Sequence, residues 1–162
     1  MTSEKISLVE FINQQQLCES LTVKEVQTLL DYTEVVDYKK AELIADIGEV
    51  GEALYFIVKG AVSLLYDEGA GETQVGEVHQ GELMGEMSFF DRNPRSVRLK
   101  AGASGAQVLK LSRPMYNRLR IEHPYIAVNL LETAIVSLDH LFRRVSSDMA
   151  TFSSYLYGPG KR

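Results

Sequence analysis

Between about Val35 and Ser112 the chain carries six short segments, "ELIADI", "ALYFIV", "AVSLLY", "TQVGEVH", "SVRLKA" and "QVLKL". They are rich in Val, Ile, Leu and Tyr and are cut apart by glycines at 48, 51, 60, 69, 71, 81, 85, 102 and 105. Branched and aromatic side chains suit a pleated, half-buried surface, while glycine tolerates the positive φ of tight corners. Many short strands joined by such corners restrict the chain to a closed or sandwiched antiparallel arrangement.

The flanks read as helix. Ile6, Leu8, Val9, Phe11 and Ile12 cluster at helical spacing, and "LTVKEVQTLLDY" puts Val23, Val26, Leu29 and Leu30 on one face behind a Thr22 cap. After the strands, "SRPMYNRLRIEH" offers Ser112 as a cap, Pro114 in the first turn, and Met115, Leu119 and Ile121 as apolar contacts. A last helix opens after Pro124, with Ala127, Leu131, Ala134, Leu138, Leu141 and Val145 in a stripe widened by Val128, Ile135 and Phe142. A stripe that wide needs the barrel, a second copy of itself, or both. The expected organisation is mainly β with α flanks (α+β): an N-terminal helical segment over 1–34, strands over 35–112, closing helices over 113–149, and a flexible tail over 150–162.

With 162 residues and 45% hydrophobic content the chain supports one domain with a real core. A net charge of −5 without a Lys/Arg cluster argues against a broad nucleic-acid footprint, which rests on neutralising many phosphates. A single small anion is not excluded by that argument. Cys18 is the sole cysteine, so no intrachain disulfide or thiolate cluster forms, and a reducing, cytoplasmic setting is favoured. "MTSEKISLVEF" lacks the pattern of a secretion signal, and no run reads as the roughly 20 apolar residues of a membrane span.

Chemistry concentrates in "GELMGEMSFFDRNPRSVRLKA", Gly81 to Ala101. Between two strands it leaves room for one short helix, whose start exposes unpaired N–H groups, with Gly85 allowing close approach to the backbone. Arg95 adds a planar fork suited to two phosphate oxygens. Glu86 would repel an anion, but makes sense if the ligand also donates a hydroxyl, as a ribose would. The pair reads either as a site for a phosphate joined to a sugar or as a structural ion pair at a barrel corner. Asp91 and Arg92 read as a solvated turn, and Met87, Phe89 and Phe90 as partly core. His79, His123 and His140 contain no His-x-His pair, so no metal site is expected.

This stretch resembles the phosphate-binding cassette of cyclic nucleotide-binding domains, the family of the catabolite activator protein, kinase regulatory subunits and nucleotide-gated channels. The likeness runs from about Glu19 to Val145, through "DIGEVGEALYFIVKG", "GELMGEMSFF" and "PRSV", to two closing helices. It implies a double-stranded β-helix, or jelly-roll β-roll, with N-terminal helices and two C-terminal helices, the cassette occupying 85–97. It implies that Glu86 holds the ribose 2′-OH and Arg95 the cyclic phosphate, with Gly85, Met87, Ser88, Ser96 and Val97 around them. Two positions depart from the family pattern: Ser88 stands where Ala or Gly is usual, and Val97 where Ala is usual. Leu138, Leu141, Phe142, Arg143 and Arg144 are the candidates to cap the purine.

The function so implied is a stand-alone sensor for cAMP, or else cGMP, which moves its C-terminal helices to signal to a partner protein, with no cofactor and no enzyme activity. About seventeen residues after the closing helices leave no room for a DNA reader. A homodimer through residues 125–146 is the second expected association. The alternatives are a fold that has lost its ligand and serves as a dimerising scaffold, and a receptor for a cyclic dinucleotide such as c-di-GMP using Arg92, Arg98, Arg143 and Arg144. A hydrolase or isomerase on a similar barrel lacks a recognisable acid, base and metal set.

Overall fold

A computed structural model of the chain describes residues 3–13, 15 and 19–158, so that Cys18 lies outside the described residues. Two short helices come first, α1 (Ser3–Asn13) and α2 (Val23–Asp31). The start of α2 is fixed by a reciprocal cap, in which the Glu25 N–H donates to the Thr22 hydroxyl and the Thr22 N–H to the Glu25 carboxylate. Six antiparallel strands follow: β1 (Glu34–Tyr38), β2 (Leu43–Ala45), β3 (Ala53–Tyr66), β4 (Thr73–His79), β5 (Leu83–Met84) and β6 (Arg98–Ser112). A short α3 (Glu86–Asp91) interrupts them before β6, and α4 (Arg113–Glu122) and α5 (Pro124–Tyr157) close the chain.

The fold is the expected helix-flanked β-roll, but its spine is longer than the sequence suggested. "ALYFIV" and "AVSLLY" form one strand, β3, and "QVLKL" with all of "SVRLKA" but Ser96 and Val97 falls within another, β6. The two pair along their lengths, while β1 takes the second half of β6 and β2 its first. Gly60 and Gly105 therefore do not end strands. They mark the bend where the register of β3 on β6 shifts between Gly60 and Val62. Both have φ of +76°, and a Cβ built on Gly60 would lie 2.2 Å from the Gly105 carbonyl oxygen. Only two bare backbones can cross so closely.

β3 serves two cores because successive side chains point to opposite faces. Leu54, Phe56 and Val58 face outward into a layer built from Val9, Ile12, Val26, Leu29, Leu30, Leu119, Ile126 and Leu130 of the helices. Ala53, Tyr55 and Ile57 face inward, with Val62, Met84, Leu99, Ala101 and Val108 filling the roll. That is why "ALYFIV" is apolar throughout rather than alternating.

Three helical expectations are corrected. On α4 the buried pair is Tyr116 and Leu119, whereas Ile121 is exposed, being two residues and so more than half a turn beyond Leu119. Val23 on α2 is likewise exposed. Of the tail expected over 150–162, residues 150–157 are instead the last two turns of α5, since "ATFSSYLY" contains no helix breaker before Gly158, and 159–162 lie outside the described residues. Gly158, at φ 65°, ends the helix, and its N–H donates to the Ser154 carbonyl. Uninterrupted, α5 is long and apolar enough to cross a membrane by length and composition, contrary to the sequence reading, although part of that stretch is buried within the fold.

Candidate functional site

Gly85 precedes α3 at φ 84°, ψ 0°, a conformation that turns β5 into the helix over the ring of Tyr55. A Cβ there would approach Tyr55 Cδ2 to 3.2 Å and the Ala53 carbonyl oxygen to 3.3 Å. Six residues cannot sustain a helix by their own hydrogen bonds, so neighbours must hold α3. Gly51 provides one anchor: its N–H donates to Ser88 Oγ at 2.7 Å, and Ser88 Oγ donates to the Asn93 carbonyl at 2.6 Å. The single hydroxyl proton of Ser88 is thus committed inside the protein, and Ser88 is a brace of the cassette rather than a free donor.

The Arg95 backbone is held on both sides. Its N–H donates to the Glu49 carbonyl at 2.8 Å, and its carbonyl accepts from the Gly48 N–H at 2.8 Å, next to a bridge between Val50 and Pro94. The guanidinium sits beside Gly51 and Gly85, half-buried, and among the described residues no carboxylate lies within ion-pair distance of it. The structural ion pair that the sequence left open does not form.

Glu86, in the first turn of α3, is only 7% exposed and receives one side-chain hydrogen bond, from Ser137 Oγ of α5 at 3.2 Å. Burial pushes its carboxyl above the ordinary carboxylate value, opposed in part by its own backbone N–H, Ser137 and the Arg95 charge. The folded protein therefore keeps this proton to higher pH than the unfolded chain does. The stability so gained is complete below the ordinary carboxylate pKa and falls as pH rises through the raised one. In the ligand-free protein Glu86→Gln is expected to raise the thermal midpoint near neutral pH, with the gap closing in acid. A shift of equal size at both pH values would rule this out.

Glu86 and Arg95 open onto one cavity of about 780 Å³, bounded by β5, α3, the segment Asn93–Val97 and the inner face of α5. Gly85, Met87, Ser88, Ser96 and Val97 also line it. Met87 and Ser96 are exposed, whereas Val97 packs against the inner core, so that its methyl groups are partly absorbed there.

Of the five residues expected to cap a purine, two line the cavity. Leu141 and Arg144 line the cavity, whereas Leu138, Phe142 and Arg143 do not; Phe142 is 71% exposed and Arg143 pairs with Asp139 at 2.8 Å. The wall of α5 is instead made with Thr133, Val136, Ser137 and His140. Counting back by three and four from Leu141 and Arg144 reaches all of them, so the helical period contained this face once two of its members were known. Of the four arginines considered for a dinucleotide, Arg98 is paired with Asp46 and Glu72 and Arg143 with Asp139, Arg92 is not part of the cavity wall, and Arg144 alone of the four lines it. The histidines are dispersed: His123 stacks edge-on against Tyr32, His140 faces the cavity, and His79 ends β4. Among the described residues no three His, Cys, Asp or Glu side chains converge in a metal-binding group.

A family model for the cyclic nucleotide-binding domain matches residues 35–123, more than half of the chain. The chain is 33% identical over 115 residues to the cyclic AMP receptor protein of Thermus thermophilus, which covers 70% of this chain and 53% of that protein. It is 32% identical over 112 residues to a lysophospholipase of Pyricularia oryzae, covering 68% of this chain but 7% of that protein. The chain thus spans from a small fraction to about half of the length of these relatives. A crystal structure of a cyclic nucleotide-binding domain from Methylobacillus flagellatus shares the fold, with a TM-score of 0.78 at 23% identity over 91% of this chain and 83% of that one.

Proposed function

Because the chain belongs to the cyclic nucleotide-binding domain family, we propose that its cavity binds a cyclic mononucleotide and that α5 reports occupancy to a partner protein. The observation that carries this reading is that an Arg95 guanidinium without an ion-pair partner among the described residues and a buried Glu86 carboxyl line one cavity. The cyclic phosphate takes the Arg95 fork and the N–H groups around Gly85 and Glu86, while Glu86 accepts from the ribose hydroxyl. The base extends towards Leu141, Arg144 and His140, and ligand that touches Ser137 and Leu141 favours one placement of α5 over another. The relationship to a cyclic AMP receptor protein supports cAMP ahead of cGMP.

On this reading the chain is a regulatory protein of the cytoplasm, not an enzyme, and its acidic balance fits no nucleic-acid partner. Calorimetric titration with cAMP, cGMP and c-di-GMP tests it. Binding of a mononucleotide in one-to-one ratio is expected. Preference for the dinucleotide would move the reading to that class, and no binding of any of the three would leave the scaffold alternative.

A homodimer through α5 belongs to the same proposal. Val128, Leu131, Ile135, Leu138, Phe142, Val145, Met149, Phe152 and Leu156 follow one another at alternating steps of three and four, a coiled-coil seam reaching beyond residue 146. Leu131 and Leu138 are half-buried, and the other seven are between 47% and 71% exposed. Val128 and Ile135 alternate with Leu131 and Leu138, the order that favours two parallel strands. Phe142→Glu is expected to weaken self-association about a hundredfold or more, from ~2 kcal/mol or more for a central anchor on each helix. Sedimentation equilibrium reads this directly. A wild type that stays monomeric, or that associates with lipid vesicles instead, would overturn the dimer.

A further inference from the structure

Arg113 is the first residue of α4, yet its side chain turns back beneath the cassette. Its Nη2 donates to the Gly51 carbonyl at 2.6 Å and to the Phe89 carbonyl at 2.8 Å, and its Nε lies 3.2 Å from Glu52. The guanidinium carbon stands 4.3 Å from the centre of the buried Phe89 ring. Its own N–H donates to the Glu52 carbonyl at 2.9 Å. The side chain is 16% exposed and is not part of the cavity wall.

These contacts complete the fastening of α3. Gly51 uses its N–H to hold Ser88 and its carbonyl to hold Arg113, while Arg113 holds the carbonyl of Phe89, the residue after Ser88. A carbonyl near the end of so short a helix has no partner within the helix and needs one from outside. Two carbonyls, one carboxylate and an aromatic face are met together by a planar guanidinium and not by an ammonium. Glu86 is three residues from Phe89 on the same helix, and α4 leads through His123 directly into α5.

We propose that Arg113 is a positioning residue, which sets the cassette helix in place and links its position to α4 and α5. The positioning part stands on the ligand-free structure, whereas the link to occupancy rests on the cyclic-nucleotide reading above. Any displacement of α3 that ligand causes at Glu86 then pulls on the N-terminus of α4 through this side chain, beside the ring of Tyr116, which meets Phe89 and Phe90 edge-on one turn further along α4.

Hydrogen exchange of the full chain tests both parts, using wild type, Arg113→Lys and, as a second variant, Arg113→Gln, each with and without saturating cAMP. Without ligand, the variants are expected to exchange about tenfold faster over residues 86–92, a loss of ~1.4 kcal/mol, while the amides pairing β3 with β6 keep their wild-type rates. With cAMP, the change in α4 and α5 exchange seen in wild type is expected to disappear in the variants although calorimetry shows their sites filled. Unchanged exchange over 86–92 overturns the positioning role, and so does faster exchange in every element alike, which marks general destabilisation. A wild-type response of α4 and α5 that persists in both variants overturns the link. If wild type binds no cyclic nucleotide, the sensor reading and the occupancy link fall together, and the ligand-free comparison still decides the positioning role.

Discussion

Arg95→Ala is expected to weaken cAMP binding about a hundredfold in calorimetric titration, with little change in thermal stability. Among the described residues the guanidinium makes no ion pair, so its removal breaks no salt bridge and withdraws only the charge that partly offsets the burial of Glu86. Its backbone stays pinned between Gly48 and Glu49 whatever the side chain, so the loop keeps its path. What is lost is the contact with the anion: hydrogen bonds to a charged group contribute about 1.5–3 kcal/mol each, and a fork makes two of them. Two such bonds would give about 3–6 kcal/mol, reduced because water and neighbouring N–H groups still solvate the phosphate; roughly 2.7 kcal/mol corresponds to the hundredfold loss. Arg95→Lys keeps the charge without the fork and should fall between the two. A variant that binds as tightly as wild type would place the ligand elsewhere and remove the basis for assigning the cavity to a cyclic phosphate.

The largest loss of stability is expected from Gly60→Ala. Two separate costs meet there: a left-handed φ, at ~1–2 kcal/mol for a residue with a Cβ, and overpacking in a closed interior, at ~1–3 kcal/mol. The new methyl would lie 2.2 Å from the Gly105 oxygen and 3.2 Å from Ala106 Cα, both backbone atoms that no rotamer change can clear. Urea unfolding should therefore show a drop of about 3 kcal/mol or more. Gly69→Ala supplies the control, since it has φ of +93° but nothing within 4 Å of the new Cβ. It should lose only the conformational part, about 1–2 kcal/mol. Equal losses at the two positions would mean that the crossing of β3 and β6 gives way to admit the methyl. The expected difference between them isolates the packing term at the bend of the roll.

The sequence by itself determined the roll, its helical flanks and the cassette, because each is written in signals that act over a few residues. Short apolar segments with glycine between them can form little else, and Gly85, Glu86 and Arg95 sit within one loop-helix-loop whose chemistry needs no distant partner to be recognised. The same glycines could not say whether they end a strand or bend one. Gly60 and Gly105 do the latter, and that depends on two chain segments 45 residues apart crossing at that place. Only the tertiary structure decided that Ser88 spends its proton on Asn93, that Arg95 has no acidic partner among the described residues, and that Arg113 reaches back to the cassette. It also decided which side of α5 meets the cavity. A helix with apolar residues on several faces presents each of them equally well to a neighbour, and the choice falls to how the roll and α2 seat its first turns. That seating turns Ser137 and Leu141 inward and leaves Phe142, one residue and 100° further round, to the outside.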